Sequence, residues 1–117
     1  MNSKINIKED NKITVHYYLE GGCLGPKGEF LIDDFCKFLE KKLNQKEVPF
    51  CHWVTHSKND IHLHHFQYEI QKRKLDQPKI IKYLQLLGVE IDDFENEIDE
   101  FVVHLIEVYL KRHPEIN

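Results

Sequence analysis

KITVHYYLE, residues 12–20, is the stretch from which the fold can be worked out. Apolar or aromatic side chains occupy every second position in it, at Ile13, Val15, Tyr17 and Leu19, and mostly polar ones lie between them. A period of two places alternate side chains on opposite faces of a strand. The pattern therefore predicts a strand with one buried face.

A glycine-rich loop and a helix follow this strand. Residues 21–28, GGCLGPKG, hold four of the five glycines and one proline, which is typical of a loop. Glu29–Asn44 then carries Phe35, Leu39 and Leu43 at helical spacing, with other apolar residues widening the stripe. We therefore expect an amphipathic helix that packs one face against the rest of the chain.

Two further strands are expected at Val48–His56 and Ile61–Lys72. The residues between them, Ser57–Asp60, supply turn chemistry, so an antiparallel hairpin with His56 opposite Ile61 is the natural interpretation.

Two helices are predicted after the hairpin. The first, Gln77–Leu87, has Asp76 as a good N-cap and Gly88 as its C-terminal stop. The second, Asp92–Arg112, opens on an aspartate with Glu95 at capping-box spacing.

The predicted order of elements is strand, helix, strand, strand, helix, helix. The simplest packing of these elements is an α+β fold with a three-stranded, mainly antiparallel sheet and helices on one face. The length of 117 residues suits a single domain, with residues 1–11 as a polar lead-in.

Charge and apolar content exclude several functional classes. The chain has 20 acidic and 16 basic residues, a net charge of −4, which argues against general nucleic-acid binding. No apolar run approaches the roughly 20 residues of a membrane helix, and the N-terminus lacks the apolar centre of a secretory signal. We therefore expect neither a nucleic-acid nor a membrane partner.

The cysteine pattern bears on the compartment. Cys23, Cys36 and Cys51 are an odd number, and their spacings fit neither a disulfide framework nor a zinc knuckle. A reduced, cytoplasmic location is the resulting expectation.

The glycine-rich loop is a candidate ligand site. A strand, a glycine loop and a helix can together hold phosphate on backbone N–H groups, which would involve Gly21, Gly22, Cys23, Gly25 and Lys27. The glycine spacing matches neither common phosphate-binding motif, so a simple connection is the competing interpretation. Cys23, just before the predicted helix, is also a candidate nucleophile.

The histidines form a candidate metal site. There are 8 in the chain, and the expected hairpin places His62, His64 and Cys51 on one sheet face, which His16 could join. Imidazole and thiolate ligands suit Zn²⁺ or a similar divalent ion. Ordinary histidines on half-buried strands are the competing interpretation, so no cofactor is expected and zinc is the minority alternative.

The last helix is a candidate interface. Its apolar surface is wider than one face, and self-association would use Phe94, Ile98, Val102, Ile106 and Tyr109.

The acidic start of the last helix argues against a DNA-recognition helix, because phosphates would repel it. The same charge is complementary to a basic protein surface.

These patterns favour a protein-binding or regulatory module, acting as a homodimer through its last helix. The alternative is a metal- or ligand-binding protein or small enzyme that uses the strand histidines and Cys23. The sequence contains no convincing catalytic set.

Overall fold

The computed structural model describes residues 12–19, 23–25, 27–46, 48, 50–57 and 65–114. The strands are β1 (Ile13–Tyr18), β2 (Cys51–His56), β3 (Phe66–Ile70) and β4 (Arg73–Leu75). The helices are α1 (Ile32–Gln45), α2 (Gln77–Leu86) and α3 (Ile91–Arg112), and a 3₁₀ turn at Glu29–Leu31 leads into α1. The expected α+β class is confirmed.

The sheet differs from the predicted three-stranded one. It has four strands in the order β2-β1-β3-β4, and β1 runs parallel to β2 and antiparallel to β3. The predicted hairpin is therefore wrong, because β1 lies between β2 and β3. A parallel neighbour suits β2, since α1 provides the long crossover connection that parallel strands need.

The predicted third strand ends in a tight turn, and the short strand β4 follows it. Gln71 and Lys72 have φ angles of 50° and 67°, and Ile70 pairs with Arg73 across them. Two successive residues in the left-handed region form the type I′ turn of a two-residue hairpin. Its usual signal is Asn-Gly, and Gln-Lys stands at this position, so the turn could not be predicted.

The alternation in β1 is confirmed. Ile13, Val15 and Tyr17 are buried, and they share the core face of the sheet with Trp53 of β2 and Tyr68 of β3. On the opposite face, the described residues of β1, β2 and β3 are all partly exposed: Thr14, His16, Tyr18, His52, Val54, His56, Gln67 and Glu69.

Helix α3 packs on the core face of the sheet. Tyr17 donates its hydroxyl to Asp99 at 3.2 Å, and the Trp53 ring stacks on Phe94 with centroids 5.7 Å apart. The predicted capping box needs the Glu95 side chain at the start of α3, whereas this carboxylate accepts a hydrogen bond from the Tyr68 hydroxyl of β3. The capping-box prediction is wrong, because α3 begins at Ile91 after an extended Glu90 that forms no side-chain cap.

The apolar surface of α3 lies mostly inside the fold. Phe94, Ile98, Val102 and Tyr109 are between 2% and 8% exposed, and Ile106 is partly buried against the same core. The prediction that these five side chains form a self-association surface is therefore wrong for the four buried ones. The width of the stripe reflects contacts with both the sheet and α1, as when Tyr109 donates to Asp34 of α1 at 2.6 Å.

Helix α1 lies along the outer edge of β2. The Asn44 amide accepts from the Trp53 N–H at 3.0 Å and donates to the Trp53 carbonyl at 3.2 Å. Glu40 accepts from the Thr55 N–H at 2.9 Å. These side chains satisfy backbone groups that an edge strand would otherwise leave open.

The boundaries of α2 agree closely with the prediction. The Asp76 carboxylate accepts from the Lys79 N–H at 3.1 Å, and Gly88 has a φ angle of 76°, a conformation that favours glycine.

Candidate functional site

Three side chains form a hydrogen-bonded chain on the partly exposed face of the sheet. His16 of β1 contacts Glu69 of β3 through Nε2, 2.7 Å from Oε1, and His56 of β2 through Nδ1, 2.9 Å from Nε2. The strand register makes both contacts diagonal, since His16 lies directly opposite Val54 and Gln67. Long side chains reach such diagonal neighbours.

His56 is packed between two other rings on this face of the sheet. Its ring stacks on Tyr18 with centroids 4.4 Å apart and on His16 with centroids 5.1 Å apart. Burial lowers the pKa of His56, the adjacent His16 lowers it further, and Glu40 opposes the shift. The ring is therefore held in its neutral form at neutral pH.

His56 also borders a groove between α1 and the end of β2, which we call the histidine groove. Its volume is about 530 Å³, and its lining residues are Asp33, Cys36, Lys37, Glu40, Thr55, His56 and Ser57. The Cys36 thiol donates to the Thr55 hydroxyl at 3.0 Å, and burial is the main cause of its raised pKa. A buried thiol with a raised pKa has little thiolate character near neutral pH, which makes Cys36 a weak candidate nucleophile.

A second groove lies where Lys46, Val48 and Phe50 meet the start of α3, and we call it the acidic groove. Its volume is about 460 Å³. Phe50, Phe94 and Ile98 are buried in its floor, with Val48 and Val89 partly exposed beside them. Its rim carries the exposed carboxylates of Glu90, Asp93 and Glu97, together with Lys46.

The acidic rim follows from helix geometry. Asp93 and Glu97 are four residues apart in α3, and each precedes a buried apolar residue. Positions four apart lie on the same face of a helix, so the two carboxylates stand above the apolar floor. The Lys46 ammonium lies 4.3 Å from the centroid of the Phe101 ring, which places one cation at the edge of the groove.

The predicted metal ligands do not come together as a set. Cys51 is buried on the core face, opposite to the face that carries His16, and burial raises its pKa to about 12. His62 and His64 lie outside the described residues. Among the residues that the structure does describe, no group of three or more His, Cys, Asp or Glu side chains could hold a metal ion.

The glycine-rich loop is described in part. Cys23, Gly25 and Lys27 are described, whereas Gly21 and Gly22 are not. Gly25 has a φ angle of 81°, which favours glycine, and Gly28 lies so close to Leu24 that a Cβ would be 2.6 Å from that residue. Both positions support the interpretation of the loop as a connection with tight backbone geometry.

Cys23 lines a small cavity beside this loop. The cavity has a volume of about 220 Å³ and also borders His65 and Asp99. His65 Nδ1 lies 3.0 Å from the Tyr18 carbonyl, an acceptor, so this nitrogen carries the proton of the neutral ring. The candidate nucleophile thus shares a cavity with a histidine whose tautomer is fixed.

Sequence reasoning missed Glu69 and did not include His56 in its metal set. The alternation in β1 already places His16 on the face opposite the core, which was the available signal. Its contacts with Glu69 and His56 require β1 to lie between β2 and β3, and the expected hairpin excluded that arrangement.

Comparison with protein-family models, curated proteins and solved structures found no match. In the described part of the chain, no helix combines the length and apolar character needed to cross a membrane.

Proposed function

We propose that this chain is a protein-binding module that holds a basic, partly apolar segment of another protein in its acidic groove. One observation carries the proposal. The groove has an apolar floor containing Phe50 and Phe94 beneath a rim of three exposed carboxylates, Glu90, Asp93 and Glu97.

The composition of the groove supports this class of partner. The floor offers aromatic and aliphatic surface of the kind that anchors a partner side chain. The three carboxylates outnumber the single ammonium of Lys46, so the rim attracts a cationic segment. A lysine or arginine beside an apolar residue would satisfy both parts of the groove, since its stem can lie on apolar surface.

The charges around the groove are available for an external partner. Within the described part of the chain, the carboxylates of Glu90, Asp93 and Glu97 form no ion pair or side-chain hydrogen bond. These three carboxylates give the rim of the acidic groove a negative field. Such a field speeds the association of a positively charged partner.

A second copy of the chain is the competing occupant. Lys72, Arg73 and Lys74 form an exposed basic hairpin that could meet the acidic groove of another molecule. We commit to a segment of a different protein, and sedimentation of the free chain distinguishes the two. The cytoplasmic location expected from the cysteine pattern stays part of the proposal.

Fluorescence anisotropy with a labelled amphipathic peptide tests the groove. A peptide with alternating lysine and leucine at helical spacing should bind with a dissociation constant of about 10–100 µM. The version with glutamate in place of lysine should not bind, and salt at about 0.5 M should weaken binding by screening. Amide chemical-shift changes should centre on Phe50 and Phe94.

The decisive comparison is between two double variants of α3. D93N/E97Q removes two charges from the rim and should weaken binding about threefold to tenfold, as expected for exposed ion pairs. D92N/E100Q removes two charges from the same helix outside the groove and should change binding less than twofold. Equal weakening by both variants would show diffuse attraction only and would overturn the proposal.

A further inference from the structure

The histidine groove carries a second, independent inference, which begins from the arrangement of protons that the Glu69–His16–His56 chain takes when both rings are neutral. An ionised carboxylate only accepts hydrogen bonds, so Glu69 accepts from His16 Nε2–H. A neutral imidazole has one proton, which leaves His16 Nδ1 as an acceptor. His16 Nδ1 must then accept from His56 Nε2–H, so His56 Nδ1 is the nitrogen without a proton.

The bare nitrogen of His56 is available to a ligand. Within the described residues, the side-chain hydrogen bond of His56 is the one that Nε2 makes to His16, and Nδ1 has none. The ring is fixed by its stacking on Tyr18 and borders the histidine groove. The groove is therefore edged by a pre-positioned neutral acceptor.

The other polar groups on the groove wall are mostly acceptors as well. The Thr55 hydroxyl donates to the Cys36 carbonyl at 2.8 Å, so its proton is already used. Glu40 is held in place by the Thr55 N–H and keeps a second carboxylate oxygen. Asp33 adds a further carboxylate, while Lys37 is an exposed cation of α1 at the same groove.

We propose that the histidine groove is a binding site for a protonated primary amine, which donates hydrogen bonds to His56 Nδ1 and to the carboxylates of Asp33 and Glu40. An ammonium group has three N–H donors and no acceptor, so it matches this set of acceptors. The two carboxylates disfavour phosphate and other anions. The volume of about 530 Å³ suits a small amine or the end of a longer polyamine.

Nitrogen-15 NMR of the imidazole rings tests the proposal directly, because protonated and bare ring nitrogens have distinct shifts. In the native chain at about pH 7.5, His56 should carry its proton on Nε2 and none on Nδ1. Adding n-butylammonium should shift His56 Nδ1 saturably, with a dissociation constant of about 1–10 mM. Tetramethylammonium has the same charge without N–H donors, and it should bind at least about tenfold more weakly.

Three variants separate the site from general charge effects. H56F keeps a ring against Tyr18 but removes Nδ1, and it should abolish saturable n-butylammonium binding at the histidine groove. E40Q keeps an oxygen for the Thr55 N–H and removes the charge, so binding should weaken about threefold to tenfold. H52F is the control, because His52 lies in the same strand and on the same face without lining the groove.

Several results would overturn the proposal. These are a proton on His56 Nδ1, equal binding of n-butylammonium and tetramethylammonium, or the same loss of n-butylammonium binding in H52F as in H56F. If H56F does not fold, the nitrogen-15 spectra of the native chain with n-butylammonium and with tetramethylammonium still test the proposal. The D93N/E97Q variant should bind n-butylammonium normally, so failure of this proposal is distinguishable from failure of the acidic groove.

Discussion

His56 shows how one side chain can connect a sheet to a groove. It ends β2, stacks on Tyr18, contacts His16 and faces carboxylates of α1. Its lowered pKa follows first from burial and then from His16, and Glu40 acts in the opposite direction. Removing His56 should therefore change how stability depends on pH.

The sign of that change follows from proton linkage. A histidine whose pKa is lowered on folding binds its proton more readily in the unfolded chain. Below the unfolded value of 6.5, the free energy of unfolding therefore falls until the folded pKa is reached. Urea denaturation of H56F between about pH 7.5 and pH 5 should show a smaller decline than the native chain.

The control for this prediction is the exposed His104 of α3. H104F should keep the pH dependence of the native chain, because His104 is exposed and lies outside the histidine groove. A decline in H56F as steep as in the native chain would contradict the assigned role of His56.

At the scale of single residues, part of the histidine site could be predicted from the sequence. The period of two placed His16 opposite the core, because side-chain direction in a strand is a local property. Its partner Glu69 is 53 positions away, and the contact depends on the register between β1 and β3. No local pattern contains that register.

At the scale of elements, helices were predicted more reliably than strand neighbours. The ends of α2 depend on Asp76 and Gly88, which act within one helical turn. The hairpin was wrong because a short polar stretch between two strands favours direct pairing, although β1 was the better partner for both. The pairing of β1 with β2 and β3 buries the apolar face of β1 at the centre of the sheet.

The turn between β3 and β4 is the element in which sequence and conformation agree least. Gln71 and Lys72 both adopt positive φ angles, which disfavour residues other than glycine and asparagine. The double change Q71N/K72G should raise the free energy of unfolding by about 1 kcal/mol, because the I′ turn suits Asn-Gly. Urea denaturation measures this, with K74G in β4 as a control that should lower stability.

At the scale of the whole molecule, α3 serves as the main covering helix of the sheet. Adjacent valines show its two sides, since Val102 is 4% exposed and Val103 is 56% exposed. V102A should lower the free energy of unfolding by about 1–3 kcal/mol through a lost core contact. V103A should change it by less than about 0.5 kcal/mol.

This pair also tests the assignment of the α3 stripe to the core. If the stripe were an interface between copies, V102A would lower the sedimentation coefficient by weakening the dimer. The free energy of unfolding would then change little. We expect unchanged sedimentation and a clear loss of stability. Equal stability of the two variants would contradict the packing of α3 described above.

The central place of β1 has a consequence for synthesis on the ribosome. β1 is the first strand of the described chain to emerge, yet Ile13 pairs with Cys51 and Tyr17 pairs with Phe66. Its apolar face and both of its edges therefore lack their partners until β2 and β3 have been translated. Contacts of such long sequence separation slow folding, so nascent chains that end before β3 should be the form of this protein that most needs chaperone protection.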